Sequence, residues 1–198
     1  KIADKKFDPA YRPAAIMGSE LIFDDDLTPE GFSENLAIVD SPNGLVRKLG
    51  LTANQWSLKE LSSGADAWIF GGQATADLAV SSSVKLTFAF ADHYVSQANR
   101  IATEANTNTA IFISNNVVLK DGTTAGGTQV KPKAENPIVR FTGGFNMINP
   151  SLAATIDTGL ANWPVSVMAD YVVNTEAKDG DDTGYAFGAG IGQTKNPG

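Results

Sequence analysis

The sequence predicts an all-β fold: an antiparallel transmembrane β-barrel, built as a meander of hairpins, of which this chain supplies only part of the wall. Three observations carry the prediction. Apolar and polar residues alternate with a period of two over most of the chain after residue 66, which places them on opposite faces of strands. Several of these runs reach about ten residues, beyond the roughly 5–6 of an average soluble strand and near the 9–11 that a tilted strand needs to cross a bilayer. Brief turns alternate with long polar connections, as they do between the two rims of a transmembrane barrel.

The clearest element runs from Trp68 to Val80. Trp68, Phe70, Ala74, Ala76, Leu78 and Val80 share one face, and Gln73, Thr75 and Asp77 lie on the other. A Ser81-Ser82-Ser83 connection follows, then a strand with Val84, Leu86, Phe88 and Phe90 opposite Lys85, Thr87, Ala89 and Ala91. Two alternating runs around a tight turn make a hairpin. Downstream, Val139, Phe141, Phe145 and Met147 alternate with Arg140, Thr142 and Asn146. Asn149-Pro150-Ser151 reads as a turn into a strand over Leu152–Ile156, with Asp157 at its end. Trp163-Pro164 opens the next strand, at a place where a missing N–H is tolerated. There Val165, Val167, Ala169, Tyr171 and Val173 oppose Ser166, Met168, Asp170, Val172 and Asn174. Tyr185, Phe187, Ala189 and Ile191 form the last alternating run.

The first third is less regular. Ala14–Phe23, Phe32–Val39 and Leu45–Trp56 read as weak strands, with a turn at Thr28-Pro29-Glu30-Gly31. The chain is therefore one segment over residues 1–198, with irregular elements in 1–65 and regular hairpins in 66–198. Long polar connections fall at Ser96–Asn108, Asp121–Asn136 and Thr175–Asp182.

Composition narrows the function. The net charge is −7 and no Lys/Arg cluster is present, which argues against a nucleic-acid partner. Without cysteine there are no disulfides or thiolate sites. No run approaches the roughly 18–20 apolar residues of a membrane-spanning helix.

If the apolar faces meet lipid, the lipid-facing candidates are Phe70, Leu78, Leu86, Phe88 and Phe90. Phe141, Phe145, Val165, Val167, Tyr171 and Phe187 join them from the later strands. The opposite faces then supply the pore-lining candidates Gln73, Thr75, Asp77, Lys85, Thr87, Arg140, Thr142, Asp157 and Asp170. Both charge signs occur in this set, and rings of charge tune ion preference; the overall acidity leans towards cations. Trp68, Tyr94, Trp163, Tyr171 and Tyr185 sit near strand ends, as interfacial aromatic girdles do.

Several segments resemble a porin family of Gram-negative outer-membrane β-barrel proteins. They are Leu21-Ile22-Phe23-Asp24-Asp25-Asp26-Leu27-Thr28-Pro29-Glu30-Gly31, Asp66-Ala67-Trp68-Ile69-Phe70-Gly71-Gly72-Gln73, and Pro137 through Asn149-Pro150. The closest is the closing stretch from Trp163-Pro164 through Tyr171 to Tyr185-Ala186-Phe187-Gly188 and Gly198. The resemblance covers about Tyr11 to Gly198. It implies a passive diffusion channel for small hydrophilic solutes or ions in the bacterial outer membrane. The partners it implies are outer-membrane lipid and lipopolysaccharide, with a homotrimer as the assembly. Members of that family are longer and end in a strand with a terminal aromatic residue, so this chain is expected to be the C-terminal half without its final strands.

Catalysis has little support. His93 is the one histidine and reads as a rim residue at a strand end. No nucleophile elbow, phosphate-binding loop or His-Glu-x-x-His pattern is present. The chain is expected to be no enzyme and to need no cofactor. Asp179, Asp181 and Asp182 form a weak Ca²⁺ candidate, since Ca²⁺ favours clustered hard oxygens, but the terminal Glu of a Ca²⁺ loop is missing. The alternative reading is a soluble β-sandwich binding module, an adhesin or carbohydrate-binding domain whose aromatic residues line a sugar groove. A glycosidase using paired acids on a jelly roll is a distant third.

Overall fold

The computed structural model describes residues 22, 30–41, 43–59, 66–104, 106, 117–125, 133–160, 163–178, 180 and 182–192. In chain order these form β1 (Glu30–Asp40), β2 (Val46–Lys59), β3 (Ala67–Ala79), β4 (Val84–Ser96) and the helix α1 (Ala98–Glu104). There follow β5 (Val117–Leu119), β6 (Thr124–Ala125), β7 (Ile138–Phe141), β8 (Asn146–Ile156), β9 (Val165–Asn174) and β10 (Thr183–Ile191).

Seven strands make one antiparallel sheet in the order β1-β2-β3-β4-β8-β9-β10. A second sheet has three short strands in the order β6-β5-β7. The fold is all-β and antiparallel, but the described residues do not close the large sheet on itself. β1 and β10 remain its two edges.

The sheet is a meander with one excursion. The strand ends at Asp40 and Val46, Ala79 and Val84, and Ile156 and Val165 lie at one rim, and those at Lys59 and Ala67, Ser96 and Asn146, and Asn174 and Thr183 at the other. At the first rim local side-chain bonds hold the Ser81–Ser83 turn and the start of the connection after β8. The Ser81 hydroxyl oxygen accepts the backbone N–H groups of Ser83 and Val84 at 3.2 and 3.1 Å, a local bond that favours a turn over further ladder. The Asp157 carboxylate accepts the N–H of Gly159 at 2.9 Å, where φ is +77°.

The β1–β2 hairpin is longer and more regular than the faint alternation of residues 30–59 suggests. The register shifts between Ala37 and Val39 in the β1–β2 pair, and between Val46 and Lys48 and between Ser57 and Lys59 where β2 pairs with β3. Each bulge inserts one extra residue and re-phases the alternation. A period-two reading therefore loses step at Ile38, Arg47 and Leu58. Glu30 and Gly31 belong to β1 and not to a turn. A Cβ at Gly31 would collide with the Gln55 carbonyl oxygen, so only glycine lets the two strands meet there.

The segment 139–156 departs from the sequence reading. β8 runs unbroken through Asn149-Pro150-Ser151, which is no turn. β7 belongs to the small sheet, and residues 142–145 join the two.

The excursion 97–145 leaves β4 through Gln97, whose φ is +55°, and enters α1, an element the polar sequence Ser96–Asn108 conceals. Ala98 and Ala102 of α1, Val117, Ile138 and Phe141 bury themselves with Ile69 and Val95 of the large sheet. Side-chain amides splice this packing together. Asn106 Oδ1 accepts the Ile138 N–H at 2.8 Å and its Nδ2 donates to the Ile138 carbonyl at 2.7 Å. Asn99 Oδ1 accepts the Phe141 N–H at 2.9 Å. Such bonds satisfy backbone groups that no ladder reaches.

Candidate functional site

The paired registers assign the strand residues of the large sheet, the bulged Ile38, Arg47 and Leu58 apart, to one of two faces. One row crosses it as Asn35, Thr52, Gln73, Ala91 and Asn149. The row one turn of the pleat away is Ala37, Gly50, Thr75, Ala89, Ser151, Asp170 and Ala186. A third contains Lys48, Asp77, Thr87, Ala153 and Met168. This is the polar face. The alternate residues give rows such as Phe32, Gln55, Phe70 and Tyr94, or Phe90, Pro150 and, next to them, Tyr171 paired with Tyr185. This is the apolar face.

Burial runs against the habit of water-soluble sheets. The buried residues of the large sheet, among them Thr52, Asn54, Gln73, His93, Asn149, Ser151 and Asp170, all lie on the polar face. The apolar face carries the exposed large side chains: Phe32, Leu36, Phe88, Phe90, Leu152, Val167, Tyr171, Tyr185 at 72% and Phe187 at 76%. They are contributed by strands from one edge to the other, so the exposed apolar surface is continuous and not a scatter of single residues.

The buried polar groups form specific contacts. Asp170, 3% exposed, accepts hydrogen bonds from Asn149 Nδ2 at 2.6 Å and from the Ser151 hydroxyl at 2.7 Å. Thr87 donates to Asp77 Oδ1 at 2.7 Å, and Thr52 donates to Asn35 Oδ1 at 2.7 Å. His93 is fully buried within β4, which corrects its reading as a rim residue. A Cβ on Gly71 would collide with the His93 imidazole and approach Asn54 Oδ1 to 2.9 Å. Glycine at 71 thus makes the room that His93 and Asn54 occupy from either side.

Of the pore-lining candidates, Gln73, Thr75, Asp77, Lys85, Thr87 and Asp170 share the polar face. Arg140 and Thr142 do not join them. Arg140 is on β7 in the excursion, donating to the Phe141 carbonyl at 3.1 Å, and Thr142 lies in the bend after it. Asp157 sits just beyond β8 in the exposed rim turn. Of the lipid-facing candidates, Phe70, Leu78, Leu86, Phe88, Phe90, Val165, Val167, Tyr171 and Phe187 lie on the apolar face. Phe141 and Phe145 do not. Phe141 is buried, and the two rings meet edge to face with centroids 5.1 Å apart. The error follows from reading β7 and the first residues of β8 as one strand.

Asp179 and Asp181 of the Ca²⁺ candidate lie outside the described residues. The Asp182 carbonyl accepts the Asn174 N–H at 2.7 Å. Among the described residues no three acidic or histidine side chains gather as metal ligands, and no helix is long and apolar enough to cross a membrane.

No family model, curated protein or solved structure matches this chain.

The sequence reading missed Asn35, Thr52, Asn54, Asn149, Ser151, Arg47 and Lys48 on the polar side. Lys48, Thr52 and Asn54 alternate with Leu49, Leu51 and Ala53, a signal that was there to find. Asn149 and Ser151 were hidden by the proline between them.

Proposed function

We propose that this chain is a wall segment of an outer-membrane β-barrel whose polar side lines a path for passive diffusion of small hydrophilic solutes. The observation that carries it is the inverted burial of the large sheet. A one-layer sheet buries side chains on the side that is concave or covered, and here that side carries Thr52, Asn54, Gln73, His93, Asn149, Ser151 and Asp170 beside Trp56, Ile69, Val95 and three alanines. Among the described residues its apolar side leaves large side chains exposed from β1 to β10, a surface that water penalises at about 25 cal/mol per Å² and that lipid does not.

Three further features support the reading. The seven strands run from nine to fourteen residues, which meets the length a tilted strand needs to span hydrocarbon. Tyr94, Tyr171 and Tyr185 lie towards the rim of the long connections, while Leu160 and Trp163 are exposed in a turn of the opposite rim; aromatic residues anchor both interfaces of membrane barrels. The excursion packs through Ile69, Val95 and Met147, all on the polar face, so it would narrow a lumen and leaves the lipid side clear.

A soluble sandwich would set its second layer on the apolar face. The small sheet stands on the other side, which weighs against the binding-module reading. Outer-membrane lipid, lipopolysaccharide and copies of the chain in a trimer are the partners this function implies. A hydrocarbon setting also requires that edge strands be paired, because lipid offers their N–H and C=O groups no partner. β1 and β10 run in the same direction, as the first and seventh strands of an antiparallel meander must. Antiparallel closure therefore takes an odd number of additional strands.

Detergent partitioning, heat-modifiable gel mobility and single-channel current in planar bilayers test the proposal. The expected result is a detergent-dependent protein whose folded and boiled forms migrate differently and which conducts when its edges are paired. A chain that stays monodisperse in water without detergent would overturn the membrane assignment.

A further inference from the structure

Arg47 is the extra residue of the β2 bulge. Strict alternation from Lys48 would aim it at the apolar face; bulges re-aim side chains, and this one sets Arg47 in a cavity beside groups of the polar face. The cavity, about 480 Å³, lies at the rim of the Ser81–Ser83 turn and is lined by Arg47, Asp77, Ser81, Lys85, Thr87 and Thr155, among others. Its ionisable lining is thus two cations and one carboxylate. Asp77 takes its hydrogen bond from the Thr87 hydroxyl, and neither Arg47 nor Lys85 is bonded to a carboxylate among the described residues. The local balance is positive although the chain as a whole carries −7.

We infer that this cavity is a subsite for small oxyanions, phosphate or carboxylate, on the solute path. The inference rests on the barrel reading above and gives it a substrate class, opposite in sign to the one the net charge suggests. A guanidinium fork matches the paired oxygens of such anions, and a lysine adds a point charge from the neighbouring side. Serine and threonine hydroxyls of the lining are short donors of the right reach. Asp77 opposes accumulating negative charge and so favours small oxyanions over polyanions.

The test is a titration of the folded chain with inorganic phosphate in a non-ionic, phosphate-free detergent, followed by ³¹P line width. Saturable binding is expected. It should weaken roughly tenfold or more in Arg47→Gln and again in Lys85→Gln, survive in Arg47→Lys, and be unchanged in Lys133→Gln on the excursion. Loss of one charge-assisted bond has that magnitude. Asp77→Asn should tighten binding, which no purely structural effect of the cavity would produce. Circular dichroism confirms that each variant retains its strands. Absence of saturable binding, equal loss in Lys133→Gln, or indifference to Arg47→Gln overturns the subsite while leaving the barrel intact. Phosphate binding that follows the expected pattern in a chain soluble without detergent keeps the subsite and removes the barrel.

Discussion

Asn149 Nδ2 donates to the carbonyl of Tyr171 at 2.6 Å. This bond explains how a proline sits inside an eleven-residue strand at the middle of a sheet. Pro150 faces Tyr171 across the β8–β9 pair, where the regular Cα partners skip from Ile148 to Ser151. Proline has no N–H to give, and the neighbouring side chain supplies one. Asn149→Ala should therefore orphan a backbone carbonyl and weaken the buried Asp170 cluster, at about 1–3 kcal/mol. Pro150→Ala restores a backbone donor at the same place. In that background the cost of Asn149→Ala should fall, and a double-mutant cycle on urea unfolding in lipid or detergent measures the coupling. Independent, additive effects would show that Asn149 does not substitute for the proline.

The two faces of β4 give a prediction whose sign separates a membrane wall from a water-facing sheet. Phe90 is exposed on the apolar face and Ala91 is buried beside it. In lipid, Phe90→Lys near mid-span should destabilise folding by about 2–4 kcal/mol, and Phe187→Lys likewise, with smaller costs for positions near the rims. In water, replacing an exposed phenylalanine by lysine is close to neutral and improves solubility. Folding equilibria in liposomes give the depth profile; a flat profile near zero excludes lipid contact on this face.

The parts of this fold legible from sequence are those where alternation is unbroken: β3, β4, β9 and β10 carry their faces in plain period two. The β1–β2 hairpin was obscured by bulges at Ile38, Arg47 and Leu58, because one inserted residue exchanges the two faces. Pro150 suggested a turn because the donor that replaces its N–H comes from a side chain, which pattern reading does not see. α1, β5 and β6 were invisible for another reason, while β7 was read as a strand but assigned to the wall. Ala98 and Ala102 of α1 and Val117 of β5 are few and held by long-range packing against Ile69 and Val95, with no local periodicity to betray them.

Gly71 separates His93 from Asn54 on the polar face, and both are buried. Asn54 has no hydrogen-bond partner for its amide among the described residues. Gly71→Ala should push against both side chains and cost about 1–3 kcal/mol, the usual penalty of overpacking. His93→Ala should relieve most of that cost, since the imidazole is the nearer obstacle. Thermal unfolding of the two single variants and the double variant decides it; a Gly71→Ala protein as stable as the parent would show that the row can spread without strain.

The excursion offers a pH probe outside the strands. Asp121 is held below the ordinary aspartate pKa, first by the Thr123 hydroxyl, then by the Thr123 backbone N–H, with a smaller part from Asn136. The contacts are 2.7 Å to the hydroxyl, 2.9 Å to the N–H and 2.7 Å to Asn136 Nδ2. A depressed carboxyl binds protons more weakly folded than unfolded, so the stabilisation is full above the unfolded pKa and fades as pH falls through the folded one. The turn around Gly122 should therefore hold its shape through mildly acidic solution and loosen only below the ordinary aspartate range. Amide shifts of Thr123 and Asn136 followed by NMR during acid titration should move together with a midpoint on the acid side of that range. Asp121→Asn should abolish the shared transition while leaving the large sheet's amides unmoved. Separate midpoints for Thr123 and Asn136 would mean that the two do not share this carboxylate.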